Sequence, residues 1–244
     1  MKKILPILFA ALLGAYMIFG IIFLTGKNDD KRVCQGVELS VRDSVSNEMV
    51  TLATVMDMLK DNGMDPVGKP MDKLLLDSME NVLVKHPFID RAQCFGTSGD
   101  YLKVNVTTKV PLVRVRNDRG QDFYVDSHGG ILPCRSTAIH VPVATGHIDY
   151  AFAGGPLLEV VNAINASRFW KAQIEQINVT DKGFFELVPR VGYHILEIGT
   201  AQDVPVKLDR LMNFYEKGLD NVGWNKYSRI SVAYQNQVVC RKRK

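Results

Sequence analysis

The longest apolar stretch runs from Ile4 to Leu24, ILPILFAALLGAYMIFGIIFL, and carries no charged residue. As a helix rising about 1.5 Å per residue it would be roughly 30 Å long, the thickness of a bilayer's hydrocarbon core. Lys2 and Lys3 precede it, and the polar, mixed-charge TGKNDDKR (Thr25 to Arg32) follows. The pattern predicts a single transmembrane helix with a short cytoplasmic end, because flanking lysines stay inside. A cleaved secretory signal is the alternative. Against it, the run exceeds the usual apolar core of about 7–15 residues and no clean small-x-small cleavage site follows. Either way the remainder is exported.

Beyond residue 32 the hydrophobic period alternates between two and about 3.6. Val33 to Val41 alternates as a strand, with Val37, Leu39 and Val41 on one face. A helix follows to Asp61, capped by Ser46 or Asn47, with Leu52, Val55, Met56 and Leu59 as its stripe and Gly63 at its left-handed end. A second helix is expected from Asp72 to Lys85, with Leu75, Met79, Val82 and Leu83 buried, ending before Pro87. Phe88 to Phe95 and Tyr101 to Thr107 then read as a hairpin around GTSGD. The order strand, helix, helix, strand, strand predicts a compact α+β unit with both helices on one face of a small sheet.

The next part is richer in strands. Val110 to Val115, Phe123 to Val125 and Ile131-Leu132 are short apolar runs between turns, followed by a loop through Pro142, Thr145 and Gly146. Pro156 suits the first turn of a helix running to about Arg168. Ile174 to Val179, Phe184 to Val188 and His194 to Ile198 read as strands. Asp203 is placed to cap a helix from Pro205 to Leu219, with Leu208, Leu211, Tyr215 and Leu219 inward. Arg229 to Cys240 closes the chain as one strand, in which Ile230, Val232 and Tyr234 alternate with Ser231 and Ala233.

Composition adds exclusions. A net charge of +4 over 244 residues is too small to argue for nucleic acid. Cys34, Cys94, Cys134 and Cys240 contain no C-x-x-C, which removes zinc-finger and thioredoxin-type readings. An oxidising compartment permits disulfides, and buried free thiols are the simpler reading. Asp126, Ser127 and His128 are neighbours in sequence, but a triad needs convergence in space and no G-x-S-x-G elbow supports one. VDSHGG reads better as a strand entering a turn in which Asp126 bonds backbone amides. The five histidines form no H-x-x-x-H or H-E-x-x-H pair, so neither a metal nor a cofactor is expected. Gly154-Gly155-Pro156 reads as a connector. RKRK, Arg241 to Lys244, reads as a solvated tail, with weak contact to anionic lipid or an acidic partner as its functional alternative. No catalytic constellation survives. The last strand remains, because a chain-terminal strand often lies at a sheet edge and can pair with another chain.

Taken in register, these segments resemble the FtsQ/DivIB family of bacterial division proteins. The directly relevant stretches are KHPFIDRAQCF (Lys85 to Phe95), LKVNVTTKVPLVRV (Leu102 to Val115) and FYVDSHGGILP (Phe123 to Pro133). FWKAQIEQINV (Phe169 to Val179), LEIGTAQDVPVKLDRL (Leu196 to Leu211) and YSRISVAYQNQVV (Tyr227 to Val239) continue the match. The chain departs from the family at Thr108-Lys109-Val110, where Glu-Arg often precedes the linker proline. It departs again at Ser231-Val232-Ala233, where the family often has Asp-Leu-Arg.

The resemblance implies a membrane-anchored architecture in three parts. Residues 1–32 hold the cytoplasmic end, transmembrane helix and linker, 33–115 a POTRA-like βααββ domain, and 116–244 a strand-rich β domain with two helices. It also implies a non-enzymatic divisome scaffold in the inner membrane, holding partners of the FtsB and FtsL type through its extracytoplasmic β domain. A POTRA adaptor for protein export or envelope assembly, and an anchored extracytoplasmic enzyme, are the alternatives. The expected partner-binding residues are Tyr234, Asn236 and Ile230 on the last strand, with Tyr227 and Trp224 beside it; aromatic residues lead because they dominate interface hot spots.

Overall fold

A computed structural model describes residues 13–20, 32–42, 49–134, 139–219 and 223–243. Most of the expected transmembrane stretch, Ile4 to Leu24, lies outside the described residues, as do the expected caps Ser46 and Asn47. Residues 13–20 are helical, and among the described residues no helix is long and apolar enough to cross a membrane. The fold is mixed α+β and strand-rich. The described residues fall into two compact units. One takes those up to Ser40 with Thr51–Val84 and Arg91–Val106; the other takes Val41–Val50, Lys85–Asp90 and everything from Thr107.

The first unit is built on a three-stranded sheet of order β1-β3-β2, where β1 is Gly36–Val41, β2 is Ile89–Gly96 and β3 is Tyr101–Thr108. Leu102, Val104 and Val106 of β3 are fully buried and alternate with half-exposed neighbours, the signature of a sheet covered on one side. Helix α1, Leu52–Asp61, starts one turn later than expected because Thr51 caps it, accepting from the Thr54 N–H at 3.2 Å. Its far end is a Schellman closure: Met64 N–H bonds Leu59 O and Gly63 N–H bonds Lys60 O, both at 2.8 Å, with Gly63 at φ +71°. The second expected helix is shorter than its pattern. A 3-10 turn, Met71–Lys73, comes first, Leu74 and Leu75 are non-helical, and α2 covers only Leu76–Leu83. Leu75 is consequently exposed, while Met79, Val82 and Leu83 are buried as expected.

The second unit is a nine-stranded sheet of order β12-β11-β10-β9-β8-β7-β4-β5-β6. Its strands are β4 Pro111–Asn117, β5 Asp122–Asp126, β6 Ile131–Pro133, β7 Val143–Gly146, β8 Ile174–Val179, β9 Phe185–Pro189, β10 Ile195–Gly199, β11 Tyr227–Ser231 and β12 Val239–Lys242. Pairs β4–β7, β7–β8 and β10–β11 are parallel. Parallel neighbours need a crossover, and the helices supply two of them. Helices α3, Leu158–Ala166, and α4, Arg168–Gln173, separate β7 from β8; α5, Val204–Phe214, separates β10 from β11. Their apolar stripes meet one face of the sheet in a core that includes Trp170, Phe185, Leu208, Leu211, Tyr215 and Ile230.

Three expectations are corrected here. The loop through Thr145 is strand β7, held between β4 and β8. Four residues with one buried side chain, Ala144, carry no readable period; ladder bonds on both sides make the strand. The helix expected to open at Pro156 begins instead at Tyr150, capped by Asp149, whose Oδ1 accepts from Phe152 N–H at 2.7 Å. Pro156 lies inside a π turn, Ala153–Leu157, a wider turn that absorbs the missing proline N–H. Asp203 stands at the N-terminus of α5, but in a left-handed conformation (φ +54°) and without a side-chain capping bond.

The Asp126 turn forms as expected. Asp126 is buried and its Oδ1 accepts from the N–H groups of His128 and Gly130, both at 2.8 Å. Gly129 (φ +82°) faces the backbone of Gly154 so closely that a Cβ on it would stand 2.9 Å from the Gly154 carbonyl oxygen. The carboxylate is occupied in shaping a turn packed on a helix. Among the described residues no disulfide joins Cys34, Cys94, Cys134 or Cys240, and burial pushes the Cys94 thiol up to about 12.

Candidate functional site: the C-terminal sheet edge

Strand β11 is parallel to β10, with Leu196 opposite Ile230 and Glu197 opposite Ser231. Ile230 is fully buried; its side chain points into the core under the sheet. The ladder ends at Val232, whose N–H donates to Glu197 O at 2.9 Å. There Arg210, from α5, takes hold of the chain: its guanidinium donates to the carbonyls of Tyr234 at 2.8 Å and Val232 at 3.4 Å. A turn follows in which Asn236 adopts φ +56°, a conformation that asparagine tolerates better than most residues. The chain then reverses into β12, antiparallel to β11, with Ile230 opposite Cys240 and Ser231 opposite Val239.

The single strand expected from Arg229 to Cys240 is therefore a hairpin, and the strand at the edge is β12. Gln235-Asn236-Gln237 held a readable turn signal in its asparagine, but the apolar alternation through Tyr234 concealed it. The Arg210 clamp had no signal, since its acceptors are backbone carbonyls remote in sequence.

The five expected residues are distributed around this hairpin. Tyr234 is exposed (64%) and lies in the turn with Asn236. They flank a cleft of about 430 Å³ that is also lined by Val206, Lys207 and Arg210 of α5. Lys207 is nearly buried there and donates to Thr200 O at 2.9 Å; burial lowers its pKa, and the neighbouring Asp203 works against that. Tyr227 and Trp224 stand at the other end of the hairpin. Tyr227 is half-buried beside the Phe214 ring, and Trp224 meets the Tyr215 ring edge-on at 4.9 Å. Beneath them, buried His194 and Tyr215 share a hydrogen bond of 2.7 Å. Burial pushes the imidazole pKa below its ordinary value and the phenol's above.

The face of the sheet away from the helices carries a polar ladder that sequence reading missed. Arg229 on β11 donates to Glu186 on β9 and to Glu197 on β10, each at 2.6 Å, and Asn178 on β8 donates to Glu186 at 3.0 Å. Burial works to raise the Glu186 carboxyl, but the bonds from Arg229 and Asn178 outweigh it and hold it below the ordinary carboxylate range. Four strands, β8 to β11, are tied together just inside the edge.

At the edge itself the hydrogen-bond pattern gives a direction to each residue of β12. Arg243 N–H donates to Lys226 O, and Arg241 O accepts from the Ser228 hydroxyl at 3.3 Å. Odd-numbered residues thus turn their backbone groups toward β11. By alternation, the N–H and C=O of Cys240 and Lys242 face outward. Among the described residues no further strand pairs with this side. Chemically the edge is a row of free backbone donors and acceptors between an aromatic end and a basic cleft. Among the described residues no group of three or more His, Cys, Asp or Glu side chains is placed to hold a metal.

Residues 110–241 match the family described as FtsQ/DivIB, C-terminal related, which is more than half of the 244-residue chain. The chain belongs to the FtsQ/DivIB family. Residues 32–107 match a POTRA-like domain, so the three-stranded unit and the nine-stranded unit correspond to the POTRA-like and β parts of this family of division proteins. A search of curated proteins finds no match.

Proposed function

We propose that the protein is a non-enzymatic scaffold of the division machinery, anchored in the inner membrane by residues 4–24, which captures membrane-anchored partners of the FtsB and FtsL type at strand β12 and links them to septal peptidoglycan synthesis. Its short N-terminus is cytoplasmic, and both domains, residues 33–115 and 116–244, lie outside the membrane. The observation that carries this reading is the unpaired edge of β12, with outward backbone groups at Cys240 and Lys242. A partner strand added there gains main-chain hydrogen bonds, and pockets at either end select its side chains. Tyr234 and Asn236 flank one end, Tyr227 and Trp224 the other, and Ile230 supports the edge from inside the core.

Two experiments test the reading. Depleting the protein should give filamentous cells with arrested septa, and normal division would refute the assignment. Lys242→Pro removes one outward N–H and leaves the inward-facing ladder of β12 intact. That variant should lose pull-down of its partner while keeping its unfolding midpoint; unchanged capture would move the interface off β12.

A further inference from the structure

The charges on β12 define the chemistry of the strand that it accepts. Arg241 lies directly opposite Arg229 on the open face of the sheet. Arg229 is already held by Glu186 and Glu197, and among the described residues Arg241 makes no ion pair. Like charges directly opposite one another in a sheet are destabilising, so the edge ends on an unneutralised cation. Lys242 and Arg243 follow it, both exposed, with Arg243 donating to the Tyr193 carbonyl. Going outward from β9 and β10, the face runs carboxylates, Arg229, Arg241, and then open solvent.

We propose that the occupant of this edge is an acidic extended segment, with a carboxylate side chain opposite Arg241. This rests on the strand-addition reading above and adds to it the chemistry of the partner. In an antiparallel addition, residues opposite Cys240 and Lys242 exchange backbone bonds with them. The residue opposite Arg241 then falls at a non-hydrogen-bonded position, where side chains approach most closely. An aspartate or glutamate there completes the row of alternating charge across the sheet. The same backbone edge would reject a basic strand.

The test uses the full chain in detergent micelles and short synthetic peptides of alternating threonine and valine with a central glutamate, glutamine or lysine. The glutamate peptide should bind about fivefold tighter than the glutamine peptide, and the lysine peptide most weakly. Arg241→Glu should reverse that order, and Arg241→Gln should flatten it, with unchanged tryptophan fluorescence certifying the fold of each. Equal binding of all three peptides, abolished by Lys242→Pro, would overturn the acidic-partner proposal and leave strand addition standing. No binding of any peptide would overturn both. If Arg241→Glu instead abolished binding to phosphatidylglycerol vesicles with the peptide order unaltered, the cations would serve a lipid surface and the proposal would fall.

Discussion

Two edge strands of this protein treat the same physical problem in opposite ways. In the POTRA-like sheet, Thr97 N–H donates to Tyr101 O, which at this end of β2 turns Phe95 toward β3 and Cys94 and Gly96 outward. One of those outward amides, Cys94 N–H, is taken by the Glu80 carboxylate of α2 at 2.7 Å. Met71 also stands over the end of that strand, 2.5 Å from where a Cβ on Gly96 would be. Edge β2 is thus blunted by side chains of its own domain, a common defence against unwanted pairing. Edge β12 has no such cover among the described residues, only exposed cations. The difference teaches that an open edge is not an inevitable consequence of ending a sheet. One unit closes its edge with a carboxylate, and the other keeps its edge available.

Variants can break or sharpen that contrast. The largest effect is expected from Ile230→Ala, which empties a fully buried site beneath the open edge. It should cost about 2–5 kcal/mol in denaturant unfolding and lose partner capture with it. Glu80→Ala should convert the closed edge into an open one. The stranded Cys94 amide costs about 1–3 kcal/mol, and sedimentation should show new concentration-dependent self-association. Wild-type sedimentation for that variant would mean that Glu80 is not what keeps β2 unpaired.

Acid should weaken the open edge through His194. Its pKa is lowered in the fold, chiefly by burial, from an ordinary value of 6.5. Above that value both folded and unfolded states are neutral at this site. As pH falls below it the unfolded chain takes up the proton first, so stability declines toward pH 5. Trp224 lies 6.4 Å from the imidazole and reports the change by fluorescence. His194→Phe should flatten this part of the profile, and an equally steep decline in that variant would assign it to other groups. The smallest effect on stability is expected from Tyr234→Ala, within about 0.5 kcal/mol, because the ring is exposed. A clear loss of partner affinity in the same variant would separate recognition from folding at the edge.

The two units were not equally legible in the sequence. The POTRA-like βααββ order, the alternation of Leu102, Val104 and Val106, and Gly63 as a helix terminator could all be read from residues near one another in the chain. The expected inward residues of α5, Leu208 and Leu211, and Tyr215 and Leu219 just after it, are buried as their spacing implies. The Asp126 turn was legible because its bonds span only two to four residues. Failures came where the deciding contact is remote. Strand β7 exists because β4 and β8 flank it, and the last strand is broken because Arg210 binds the carbonyls of Val232 and Tyr234.

What the chain's pattern determined alone was the type of each strongly periodic element, the two-part organisation and the resemblance to division proteins. Side-chain period and turn chemistry are local properties, and burial amplifies them without changing their sign. The tertiary structure decided which strand stands at the edge, which of its backbone groups face outward, and which edge a carboxylate closes. Those outcomes rest on hydrogen bonds between residues far apart in the chain, such as Arg229 with Glu186 or Arg210 with Tyr234. No local spacing encodes which donor will meet which acceptor until the sheet has assembled.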